Sequence, residues 1–152
     1  MSLYHFLIGT WFICFTNFPM WTKGDKTNPT FNYAHAPTKK HPERLSDEVK
    51  YLQNGREKSI KGFDYPDAEK ADRYTWRGKG ITHLLRSRWS ILLQDPKGQW
   101  AVIQFSKTLF TPEGMDIISR TPKIDPETWQ QIQMALRRIS IPKEQLESLQ
   151  EL

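Results

Sequence analysis

The chain has 152 residues, a formal net charge of +5 and a pI near 9.4. That length suits a single domain over residues 1–152 and is too short for two full cores. Ten prolines, eight glycines and short apolar runs between turn residues disfavour a helical bundle and predict an all-β architecture.

Phe6 to Phe18 is rich in β-branched and aromatic residues and reads as one long first strand stopped by Pro19. Its apolar stretch, Phe6 to Phe15, has the length of a signal-peptide core, but no basic residue precedes it and no small-x-small site follows. It is also shorter than the roughly 20 residues that span a bilayer. Cys14, the single cysteine, excludes an intramolecular disulfide and argues for a reducing compartment. The expectation is a soluble, cytoplasmic protein without a membrane span.

Asn28 to Ala36 is the second predicted strand, after the loop Thr22 to Lys26. Pro37 to Asp47 is polar, basic and proline-bearing, and reads as a loop over one end of the fold. Val49 to Gln53 and Arg56 to Ile60 flank Asn54-Gly55, a strong hairpin signal. Gly62 to Ala71 reads as a second long loop, leading to Arg73 to Arg77 and, through a bend or bulge at Gly78-Lys79-Gly80, to Ile81 to Leu84. Arg88 to Leu93 and Gln99 to Phe105 form a hairpin about Asp95 to Gly98. Thr111 to Gly114 turns the chain into a last strand, Met115 to Arg120. The sum is about eight strands, the number at which a closed barrel can hold one small ligand.

From Asp125 the period changes. Asp125 is placed to cap a helix that starts at Pro126, with Glu127 in the first turn and Trp129, Ile132, Leu136 and Ile139 on one face. The tail from Pro142 to Leu152 suits another short helix.

Gly9-Thr10-Trp11 stands in the first strand, Ile118-Ser119-Arg120-Thr121-Pro122 ends the last, and the helix follows directly. In this order the chain resembles the lipocalin family, especially its bacterial-lipocalin and apolipoprotein D branch. The resemblance covers nearly the whole chain, with its specific motifs at the two ends. It implies an eight-stranded up-and-down antiparallel barrel with the C-terminal α-helix packed outside, and a pocket for a small hydrophobic molecule. It further implies a structural closure: Trp11 across the closed end, Arg120 over its ring in a cation–π contact, and Gly9 allowing close backbone approach. The chain departs from many secreted lipocalins in lacking a disulfide.

Aromatic residues are plentiful, and broad apolar faces with polar tips suit hydrophobic ligands bearing a few oxygens. Tyr33, Tyr74, Trp76, Trp89 and Phe105 are the candidate pocket walls, with ordinary core packing as the alternative for each. Alternation places Tyr74 with Trp76 on one face, and Trp89 with Ile91 and Leu93 on one face. Arg77, His83 and Arg88 are the candidate inward polar groups for a ligand carboxylate or enolate, set against the commoner case of a barrel-exterior cation. His5, His35, His41 and His83 lack metal-ligand spacing, Cys14 has no histidine nearby in sequence, and Gly78-Lys79-Gly80 is too short for a phosphate loop. No metal, no cofactor and no specific catalytic residue is therefore expected.

Three readings stay open. The first is a carrier with a small hydrophobic ligand as its partner. The second is a cofactor-independent isomerase or cyclase of natural-product biosynthesis using the same pocket, since positioning alone contributes roughly 7–11 kcal/mol at the extreme and His83, Tyr33 or Arg77 is a candidate acid or base. The third, weaker one is a nucleic-acid-binding barrel. Its basic groups, such as Lys39-Lys40 and Arg137-Arg138, fall short of the run of about five or six like charges that marks an interaction tail. A nucleic-acid partner is accordingly not expected, and the oligomeric state is left open.

Overall fold

Alternating apolar residues bury one face of each strand, and eight such strands close the sheet on itself. In the computed structural model, which describes residues 2–108 and 112–152, a short helix α1 (Leu3–Leu7) precedes β1 (Gly9–Thr16), and α2 (Pro19–Thr22) follows it. The chain continues through β2 (Thr27–His35), β3 (Leu45–Gln53), β4 (Arg56–Pro66), β5 (Arg73–Gly78), a 3₁₀ turn (Gly80–Thr82), β6 (Arg86–Gln94), β7 (Trp100–Phe105) and β8 (Gly114–Ser119). Each strand pairs antiparallel with the next, and β1 pairs with both β8 and β2 to close the barrel. The helix α3 (Pro126–Arg138), the short α4 (Lys143–Glu147) and a two-residue strand β9 (Gln150–Glu151) against β1 complete the chain. Among the described residues no helix is long and apolar enough to cross a membrane.

The expected eight-stranded barrel with an outer helix is what the chain forms, with several local corrections. The apolar run at the N-terminus is not one strand: Leu3–Leu7 is helical, and β1 begins only at Gly9. The run 81–84 is not strand either, because a 3₁₀ turn and an exposed loop occupy it. β3 begins at Leu45 and β4 runs on to Pro66, so both long loops are shorter than expected. Thr111, the first residue of the expected turn into the last strand, lies outside the described residues.

Two apolar layers result. Trp11, Ile13, Phe31, Leu45, Val49, Trp89, Ile91 and Ile103 fill the barrel interior. Val102, Met115, Ile117, Ile132 and Leu136 lie between the outer sheet face and α3. Phe15 and Trp129 stack there with centroids 3.8 Å apart. The Asp125 carboxylate caps α3 by accepting from the Thr128 backbone N–H at 2.9 Å.

Bulges decide which residues face which layer. In β1 the register shifts between Ile13 and Phe15, so Phe15 opposes Ile117 on the helix side and Thr16 opposes Asp116. In β6 the shift between Ile91 and Leu93 turns Leu93 opposite Val102, into the outer layer. Trp89 and Ile91 share one face, as expected, and it is the inward one; Leu93 does not follow them.

Candidate functional site

One end of the barrel is shut. The Arg120 guanidinium lies over the Trp11 ring with 3.6 Å between Cζ and the ring centroid. It donates to the carbonyls of Phe6 at 2.7 Å, Ile8 at 3.0 Å and Thr10 at 3.0 Å. The Trp11 indole N–H donates to the Leu7 carbonyl at 2.8 Å. Gly9 has φ +109°, and a Cβ there would stand 3.0 Å from Arg120 Nη1. First strand, last strand and α1 are thus tied at one point.

Toward the other end the barrel holds a cavity of about 560 Å³. Phe31, Tyr33, Val49, Ile60, Trp89 and Phe105 supply wall from five strands. α2 adds Met20 and Trp21, and the segment after the 3₁₀ turn adds Leu84, Leu85 and Arg86 at the mouth. Leu84 is 82% exposed. Tyr33 stacks toward Trp89 with 6.0 Å between centroids, and Tyr74 stacks behind Trp89 at 4.6 Å. Gly62 makes room for Trp76, since a Cβ at that position would collide with the indole.

Of the candidate ligand residues, Tyr33, Trp76, Trp89 and Phe105 therefore share one cavity wall. Tyr74 is buried behind that wall and does not itself line it. Arg77 and His83 lie apart from the wall. Arg77 is exposed, with its guanidinium 5.3 Å from the centroid of Tyr65, and His83 is exposed with Nδ1 donating to the Gly80 carbonyl at 2.9 Å.

The interior also carries three carboxyls that the sequence reading did not single out. Asp47 on β3, Asp64 on β4 and Asp116 on β8 are 5%, 0% and 1% exposed. Asp47 opposes Gly62, and Asp64 opposes Leu45, so the two acids are diagonal neighbours on paired strands. The two are near enough for the charge of Asp64 to act on Asp47. Asp64 Oδ1 accepts from the Trp89 indole N–H at 2.8 Å, and Asp116 Oδ1 from the Thr16 hydroxyl at 2.6 Å. Asp47 Oδ1 and Asp64 Oδ2 receive no bond from any donor among the described residues.

Burial pushes all three carboxyls above the usual carboxylate range. Asp116 is pushed up to about 7, with the Thr16 hydrogen bond opposing the rise. The charge of Asp64 raises Asp47 further. The Tyr33 phenol is also pushed up, first by burial and then by the charges of Asp47, Asp64 and Asp116, so all three acids act on its hydroxyl. Asp47 and Asp116 line the cavity themselves. The site thus combines aromatic walls with protonatable oxygens that have few donors of their own.

The sequence matches no family model and no curated protein. Its fold does match solved structures. Insecticyanin from the tobacco hornworm Manduca sexta superposes with a TM-score of 0.72 at 13% identity, over 97% of this chain and 78% of that one. An odorant-binding protein gives 0.65 at 11% identity, over 97% and 91%. A bovine lipocalin allergen gives 0.66 at 10% identity, over 98% and 93%. The closed barrel, the outer helix and these neighbours establish a lipocalin fold.

Proposed function

We propose that this lipocalin-fold protein holds one small, largely hydrophobic molecule inside its barrel. The observation that carries the reading is the cavity of about 560 Å³ with Phe31, Tyr33, Trp89 and Phe105 on its wall and an open mouth at Leu84 and Leu85. A volume of that order is typical of small-molecule sites. One structural neighbour is an odorant-binding protein by name. Cys14, unpaired and buried with its thiol pushed up to about 11 mainly by burial, suits a reducing cytoplasm.

Native mass spectrometry of protein purified gently from its own source, followed by denaturing extraction, tests the proposal. The expected result is a stoichiometric hydrophobic compound whose return to the emptied protein quenches tryptophan fluorescence. An empty protein that shows no quenching across a panel of hydrophobic ligands overturns it.

A second reading, that the pocket acts as a cofactor-free isomerase or cyclase, gains support from the Asp47–Asp64 pair and Asp116. A buried carboxyl that keeps its proton near neutral pH is a competent general acid. The extracted compound separates the two readings. A carrier returns it unchanged, whereas an enzyme converts a precursor above the uncatalysed rate and loses that turnover in Asp116→Asn.

A further inference from the structure

We infer that the barrel selects a ligand with a protonated amine at the end of an apolar body, the ammonium meeting Asp47 near the closed end. The inference rests on the pocket reading above and adds the ligand's charge.

Three carboxyls face or adjoin one apolar cavity, and none belongs to an ion pair among the described residues, whose ion pairs join other side chains. Among the described residues, the donors they receive are the Trp89 N–H and the Thr16 hydroxyl. Buried charge without a partner is costly, and an unsatisfied buried acceptor adds to that cost. An ammonium group brings three N–H donors and the missing positive charge in one atom.

Placement fits a head-first ligand. β3 and β4 carry Asp47 and Asp64 toward the closed end, next to the Tyr33 and Trp89 rings. Asp116 lies on the mouth side, two residues into β8. The rim holds Leu84 and Leu85 together with Arg86, which is exposed and solvated. Cation–π attraction from Tyr33 and Trp89 reinforces the same head group. A metal ion is the poorer fit, because among the described residues no three His, Cys, Asp or Glu side chains group closely enough to grip one.

Decylamine, decanol and decanoic acid share one apolar chain and differ in the head group. Their affinities at neutral pH, read by tryptophan quenching and calorimetry on the full chain, are expected to rank amine, alcohol, acid. A charge-assisted hydrogen bond makes the amine about tenfold tighter than the alcohol. The amine-to-alcohol ratio is expected to fall about fivefold or more in Asp47→Asn and by less in Asp116→Asn. Alcohol or acid binding as tightly as the amine overturns the inference while leaving the pocket reading intact. So does a ratio that both variants preserve. Failure of all three probes to bind overturns the pocket reading and this inference with it. The unaltered protein alone decides the ranking, so an unfolded variant does not stall the test.

Discussion

Arg120 gives its N–H groups to three carbonyls of the N-terminal segment and its face to Trp11. A hydrogen bond to a charged group contributes about 1.5–3 kcal/mol and a cation–π contact about 0.5–2 kcal/mol. These values do not simply add, because Arg120 is only partly buried and water screens its exposed N–H groups. Arg120→Gln is expected to destabilise the protein by about 3 kcal/mol, seen as a lower urea midpoint at unchanged slope. Lysine at this position recovers only part, since one ammonium cannot fork toward three carbonyls while lying flat on an indole. A loss under about 1 kcal/mol in Arg120→Gln would show that α1 and β1 are held by packing alone.

The strands and the outer helix use different layers, which makes stability and binding separable. Leu136 is fully buried against the outer sheet face, in the layer that holds Val102 and Ile117 rather than the one that holds Tyr33 and Trp89. Leu136→Ala is expected to cost about 2–5 kcal/mol and to leave hydrophobic-ligand affinity within about twofold. A large affinity loss at preserved fold would mean that α3 shapes the cavity through the sheet. The same layering explains what the sequence disclosed. Asn54-Gly55, the Asp125 cap and the Gly9, Trp11 and Arg120 motif act locally or through residue identity, so the hairpin, the helix and the barrel closure were legible. Asp47 and Asp64 were not, because proline, glycine and acidic residues made 37–47 and 62–71 look like loops. Acids are depleted in strands for reasons of burial, and here that general preference yields to pairing with β2 and β5. The remaining signal was the alternation Leu45, Asp47, Val49, Tyr51, which puts an acid in line with three inward apolar residues. Leu93 was misplaced for a different reason: a bulge resets the period of 2, and no turn residue marks it.

A barrel interior that holds three raised carboxyls couples the stability of the whole molecule to pH. An unfolded aspartate titrates near 3.9, whereas folded Asp116 titrates near 7 and the Asp47–Asp64 pair is also raised. Between about pH 4 and 7 the folded protein therefore keeps protons that the unfolded chain has released. Stability falls as pH rises through that window and levels above it. For Asp116 alone the change is on the order of 4 kcal/mol. Asp25, Asp67 and Asp125 shift the opposite way, lowered by hydrogen bonds to Lys26, to the backbone of Glu69 and Lys70, and to the Thr128 backbone. Their contribution is present above the unfolded carboxylate pKa and is lost only as pH falls through their lower folded values. Urea unfolding of the empty protein between pH 5 and 8 thus isolates the interior acids. The midpoint is expected to drop across that range, and Asp116→Asn to flatten part of the slope. A saturating amine is expected to flatten it too, because a bound ammonium lowers the carboxyl pKa values toward their unfolded range and adds its own binding free energy. A midpoint independent of pH from 5 to 8 would mean that the acids are solvated in the empty barrel. In that case neither the raised carboxyls nor the need for a cationic ligand survives, and the cavity is left as a purely apolar container.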